Sequence, residues 1–186
     1  EPLDQGFFFF SPTPDVLYSR SWDGRFPAFC SWVRLRDLRT GGGLYVYNLH
    51  FDNASGGNRR KAANLVAERV RARDHPKDPV LVLGDFNATA GSSTLRRIRA
   101  EGLERVPVRG STFHFHRGID VIPAIDHVLF SPGFEIKGAV VLRDRYLGTW
   151  PSDHYPVLAV FGWTDGSPVR ELESILEESG SPQTLR

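Results

Sequence analysis

Of the 186 residues, 40% are hydrophobic and 24% charged, the balance of a globular chain large enough for one domain with a sizeable core. Basic and acidic residues number 23 and 22, and the resulting formal charge of +1 excludes a strong overall attraction to nucleic acid or an anionic membrane. Cys30 is the only cysteine, which excludes an intramolecular disulfide and a cysteine-built zinc site, and no apolar run is long enough for a membrane span.

Phe7 to Phe10 reads as a buried strand, stopped by Ser11-Pro12-Thr13-Pro14, where two prolines forbid regular pairing. A loop follows through Trp22-Asp23-Gly24-Arg25. Phe29 to Arg36 and Leu44 to His50 are β-rich and flank Asp37 to Gly43, whose glycines admit positive φ, so an antiparallel hairpin is predicted. From Asn58 to Arg73 the period turns helical, with Ala62, Val66 and Val70 four apart and a largely basic opposite face. Val80 to Leu83 predicts a short buried strand ending in Gly84-Asp85-Phe86-Asn87, and Ser93 or Thr94 is placed to cap a short helix carrying Leu95 and Ile98.

Three more strands are predicted over Ala124 to Phe130, Phe134 to Leu142 and Val157 to Phe161. Past them, Val169, Leu172, Ile175 and Leu176 form an apolar stripe among glutamates, predicting a peripheral C-terminal helix and tail over 164–186, after a domain spanning 1–163. Many strands with few helices between them predict an α+β fold of two packed, mainly antiparallel sheets flanked by helices, not a doubly wound parallel sheet.

Polar residues gather where these strands end. The strand from Leu44 delivers Asn48, His50 and Asp52; His50 reads either as a strand-end residue without catalytic work or as a donor to a phosphate oxygen. Asp85 and Asn87, two apart, leave their strand on one face, where an acid can orient or deprotonate water and an amide can steady a phosphoryl oxygen. The plainer alternative is that the pair makes a turn. Asp153 and His154 are adjacent on extended backbone and point to opposite sides, so one can face a metal and the other a scissile phosphate; the alternative is a polar loop before an edge strand. Asp126, inside an apolar strand, needs a partner, for which an imidazole is suited, while His127 points the other way and reads as structural.

Two surface features leave the substrate open. Arg59, Arg60, Lys61, Arg69, Arg71 and Arg73 form either a phosphate-attracting helix face or an ordinary solvated one. Trp22, Phe113 and Trp150 sit in loops where an aromatic can stack on a base or sugar, or simply pack.

In this order, Asn48-Leu49-His50, Gly84-Asp85-Phe86-Asn87, Ile125-Asp126-His127 and Ser152-Asp153-His154-Tyr155-Pro156-Val157 resemble the successive motifs of the endonuclease/exonuclease/phosphatase superfamily. Ser11-Pro12-Thr13-Pro14, Ser111-Thr112-Phe113-His114 and Ser131-Pro132-Gly133-Phe134 are similar to a bacterial branch of metal-dependent hydrolases, and the likeness runs over residues 1 to 163. The resemblance implies a four-layer α/β/β/α sandwich of the deoxyribonuclease-like type with its active site at one end. It implies that His154 contacts the scissile phosphate and is held by Asp126, that Asp85 orients or activates water, and that Asn87 and His50 bind phosphate oxygens. Asn48 would support the site, and Asp153 would help bind Mg2+ or Mn2+.

The implied function is metal-dependent hydrolysis of a phosphodiester or phosphomonoester, in a nucleic acid, a phosphoinositide or a sugar phosphate. The superfamily's opening strands, which carry an asparagine and a metal-binding glutamate, have no match, and the chain has no methionine. The N-terminal strands are therefore expected to come from an upstream segment of the same protein. A catalytically silent fragment or a binding module retaining the fold is the alternative, and the compartment, cytoplasmic or secreted, is left open.

Overall fold

Apolar alternation along successive strands gives each a face to bury, and the computed structural model, which describes residues 1–20 and 22–164, satisfies those faces with two sheets and two helices. The strands are β1 (Pro2–Phe9), β2 (Phe29–Arg36), β3 (Gly43–His50), β4 (Val80–Asp85), β5 (Glu104–Arg105), β6 (Asp126–Phe130), β7 (Phe134–Val141) and β8 (Val157–Trp163). The helices are α1 (Gly56–Arg71) and α2 (Ser93–Arg99). A six-stranded sheet runs in the order β1-β2-β3-β4-β6-β5, and β7 pairs with β8 in a second sheet. All pairs are antiparallel except β3 with β4, which are parallel because α1 carries the chain back to the starting edge between them. This is the expected α+β sandwich.

One face of the large sheet presents Tyr45, Tyr47, Leu49, Val80, Val82 and Leu129 to the helices, whose Ala62, Val66, Val70, Leu95 and Ile98 complete the main core. The other face presents Leu44, Leu81, Val128 and Phe130, which pack with Phe134, Phe161 and Trp163 of the small sheet. β3, β4 and β6 are covered on both sides, and their buried pattern follows from that.

Several boundaries differ from expectation for identifiable reasons. β1 extends from Pro2 to Phe9 because its backbone pairs along β2, and Phe7, on the face turned from the helices, stays 53% exposed. β6 begins at Asp126, not Ala124, because the Ile125 and Asp126 amides both donate to Thr112 Oγ1, at 3.0 and 3.1 Å. The cap of α2 is Ser92, whose Oγ accepts from the Leu95 amide at 3.2 Å; Ser93 opens the helix and Thr94 is buried. Ser55 caps α1 in the same way, accepting from Asn58 N at 3.1 Å. The helix expected around Val169 to Leu176 lies outside the described residues. Among those described, no helix is long and apolar enough to cross a membrane.

Candidate active site

The site begins as a matter of register. In the parallel pair His50 stands opposite Asp85, and in the antiparallel pair Asp85 stands opposite Asp126. Three neighbouring strands thus bring an imidazole and two carboxylates into one row, on the face away from the helices. Gly84 permits the close approach: its φ is +132°, and a Cβ there would overlap the Leu49 carbonyl oxygen.

His154 completes the group from the segment before β8. Its Nδ1 lies 2.7 Å from Asp126 Oδ2, and its Nε2 lies 3.9 Å from Asp85 Oδ2. His50 Nε2 approaches the same Asp85 oxygen to 3.3 Å. Asp85 Oδ2 is therefore the point on which both imidazoles converge. The Asn87 amide N–H donates to Asp85 Oδ1 at 2.7 Å, and its side-chain Nδ2 donates to Asp85 Oδ2 at 3.2 Å and to the Phe51 carbonyl at 2.9 Å. Both hydrogens of that amide are engaged, so in this geometry Asn87, at φ 45°, clamps the Asp85 carboxylate.

Burial pushes the Asp85 carboxyl above its ordinary range. The Asn87 amide opposes that rise, the Asp126 carboxylate adds to it, and the His50 and His154 imidazoles oppose it, leaving a net upward shift. A carboxylate poised this way is more basic than a solvated one.

Asp85, Asn87, Asp126, Asp153, His50 and His154 all line one cleft of about 640 Å³. Asp85, Asp126 and His154 also offer ligand atoms within 4.8 Å of one another, the one such group among the described residues. The two carboxylates beside an open cleft offer oxygen ligands that fit a hard divalent ion completing its shell with water and substrate oxygens, while the His154 imidazole is engaged through Nδ1 with Asp126. Asp153 sits on the cleft wall outside that group, its backbone carbonyl accepting from His114 N at 2.8 Å. Asn48 is exposed and lines a neighbouring cleft of about 680 Å³, which shares His50, Asn53 and Asp85 with the first. Asp52 serves as a turn staple: burial alone would raise its carboxyl, but amides of Ser55, Arg25 and Ala54 hold it below the ordinary range.

His127 points to the helix face, where its Nε2 lies 2.9 Å from the Ala88 carbonyl, as alternation predicts. Of the three loop aromatics only Phe113 reaches the cleft that holds Asp85 and His154; Trp150 packs on His114, Tyr155 and Arg145, and Trp22 lies under Lys61. The basic face of α1 is largely spent internally, with Arg69 on Asp15, Arg71 on Glu101 and Arg73 on the carbonyls of Val70, Pro76 and Asp78.

Sequence reasoning missed Asn53, which lines the cleft, and the work of Thr112. Thr112 is fully buried, and its hydroxyl fixes the amides that introduce Asp126. Only its place in the Ser-Thr-Phe-His stretch signalled it.

The family model described as Endonuclease/Exonuclease/phosphatase family matches residues 6–154. Among solved structures, the Bacteroides thetaiotaomicron VPI-5482 mannosyl-6-phosphatase Bt3783 is 29% identical, with TM-score 0.80 over 88% of this chain and 67% of its own. An endonuclease/exonuclease/phosphatase family protein from Bacteroides thetaiotaomicron is 30% identical, with TM-score 0.76 over 84% of this chain and 64% of its own. D. rerio TDP2 complexed with single strand DNA product shares the fold at 13% identity and TM-score 0.65, over 87% of this chain and 68% of its own. The chain thus spans about two thirds of the length of these neighbours. No curated protein matches it in sequence.

Proposed function

The chain belongs to the endonuclease/exonuclease/phosphatase family, and from that premise we propose that it acts as a divalent-metal-dependent phosphoesterase, using an activated water to hydrolyse a P–O ester bond. The observation that carries the reading is the convergence of His50 and His154 on Asp85, with Asp126 bonded behind His154.

Asp85 orients the attacking water and takes its proton, a task suited to a carboxyl raised by burial. Asn87 keeps that carboxylate aimed; a phosphate oxygen can take over its Nδ2 hydrogen from Asp85 when substrate enters. His154, with Nδ1 on Asp126, turns Nε2 into the cleft, and Asp126 stabilises the imidazolium that donates to a phosphoryl oxygen. His50 donates to a second oxygen, and Asn48 supports the strand end that carries it. Magnesium or manganese, when bound, supplies charge neutralisation at the phosphoryl group and the leaving oxygen. Asp153 on the cleft wall would help hold the ion, with lone pairs of the Asp85 and Asp126 carboxylates not taken by hydrogen bonds as further oxygen ligands.

The neighbour at 29% identity bears the name mannosyl-6-phosphatase, which supports the sugar phosphate among the three substrate classes the sequence leaves open. The test is release of nitrophenol from p-nitrophenyl phosphate and its bis-ester with magnesium or manganese. Chelation should abolish release, and His154→Ala or Asp126→Asn should lower kcat by about 10²- to 10⁴-fold. Rates that survive chelation, or that match wild type in both variants, would overturn the reading.

A further inference from the structure

We propose that a cavity of about 370 Å³, on the far side of the wall from the Asp85 cleft, is a second binding site in which Arg105 and His127 take a small aliphatic carboxylate bearing a hydroxyl group. This goes beyond the phosphoesterase reading and does not rest on it. Arg105 of β5 stands opposite Leu129 of β6, and His127 lies two places before Leu129, so the two side chains are diagonal neighbours on one face. Both line the cavity.

His127 supplies an acceptor. It is 2% exposed, and its Nε2 lies 2.9 Å from the Ala88 carbonyl oxygen, which can only accept. Nε2 therefore carries the hydrogen and Nδ1 is a bare lone pair. That Nδ1 is buried and has no hydrogen-bond partner. Burial favours the neutral ring, and the nearby charge of Arg105 adds to the preference. A buried acceptor without a donor is costly, and a hydroxyl reaching it from the cavity would recover that cost.

Arg105 supplies a cation. Its Nη1 donates to the Val106 carbonyl at 2.8 Å, which leaves Nε and Nη2 as a fork for a ligand. Burial and the neighbouring Arg99 both disfavour its charge, so an anion beside it would be stabilising. Asp120, the acid on the cavity wall, is instead held by Arg143 Nη1 at 2.9 Å and by Ser111 N at 2.5 Å.

These groups select the ligand. A planar guanidinium fork matches a carboxylate, and Asp120 disfavours the second charge of a phosphate. Ala90, Val108, Ile122 and Pro123 give the rest of the wall an apolar lining for an aliphatic body. The His127 lone pair asks for the hydroxyl. Ile122 lines the Asp85 cleft as well, and His127 follows Asp126 along β6, so a bound ligand braces the strand that carries Asp126.

The experiment is calorimetric titration in chelator, without any phosphoester, of 3-hydroxybutyrate, butyrate, uncharged 1,3-butanediol and inorganic phosphate. 3-Hydroxybutyrate should bind about tenfold tighter than butyrate and more than tenfold tighter than the diol, and Arg105→Gln should weaken it about tenfold or more. Melting of the unliganded variant checks that it folds. In wild type, the His127 Nδ1 nitrogen resonance should move with 3-hydroxybutyrate and stay in place with butyrate, a readout that needs no variant. No binding of any probe at about 20 mM, or unchanged affinity in a folded Arg105→Gln, would overturn the site. Tighter binding of phosphate would overturn the carboxylate, and an unmoved Nδ1 resonance at saturation would overturn the hydroxyl. Every readout is taken without turnover, so the site stands or falls separately from the phosphoesterase activity.

Discussion

Residues 126 and 127 show how adjacent side chains acquire opposite tasks. Asp126 faces the cleft and holds His154, while His127 is 2% exposed among apolar neighbours and stacks edge-on to Phe86. Burial pushes the His127 imidazole below its ordinary value of 6.5, only partly opposed by its bond to the Ala88 carbonyl. The folded protein thus prefers the neutral ring, whereas the unfolded chain takes up a proton below 6.5. Its contribution to stability should be complete above that pH and fade as pH falls through the depressed folded value. Melting between pH 7.5 and 5.5 checks this: His127→Gln should melt with a weaker pH dependence than wild type, and an equal slope would remove the argument. Period-two alternation alone told the two residues apart in the sequence. It could not tell that Asn87 has both amide hydrogens engaged, because Phe51, which receives one of them, lies 36 residues away.

Among the elements, the junction of β3 and β4 carries the most consequence. Gly84→Ala places a methyl group against the Leu49 carbonyl at a φ of +132°, so strand separation is the only relief. Urea denaturation should show a loss of about 2–4 kcal/mol, and turnover should fall further than stability because His50 moves away from Asp85. A variant as stable as wild type would show that the close approach is not required. The hairpin of β2 and β3 was legible from its glycine-rich turn, α1 from its period and α2 from a hydroxyl residue ahead of Leu95 and Ile98, since these signals are local. The parallel pairing of β3 with β4 was not, because it depends on where α1 returns the chain. Nor was the start of β6, which a threonine hydroxyl from a distant loop decides.

For the whole molecule, Cys30 offers a direct reading of integrity. It is fully buried in the main core, and burial drives its thiol far above the ordinary range. A thiol reagent should label it at the rate of global unfolding in native buffer and within seconds in denaturant; prompt native labelling would mean that the core opens locally. The two-sheet sandwich and the row of acids and imidazoles were legible together because strand ends rich in Asp, Asn and His announce both. Phe113, a loop aromatic in the sequence, lies on the cleft beside His154.

The alignment of His50, Asp85 and Asp126 across hydrogen-bonded neighbours has one more outcome. Slipping β6 by a single position would exchange carboxylate for imidazole in the cleft and bury the acid among aromatics. Length changes are thus tolerable in the surface loops and ruinous within the ladder, where a single inserted residue would part the acids from the imidazoles.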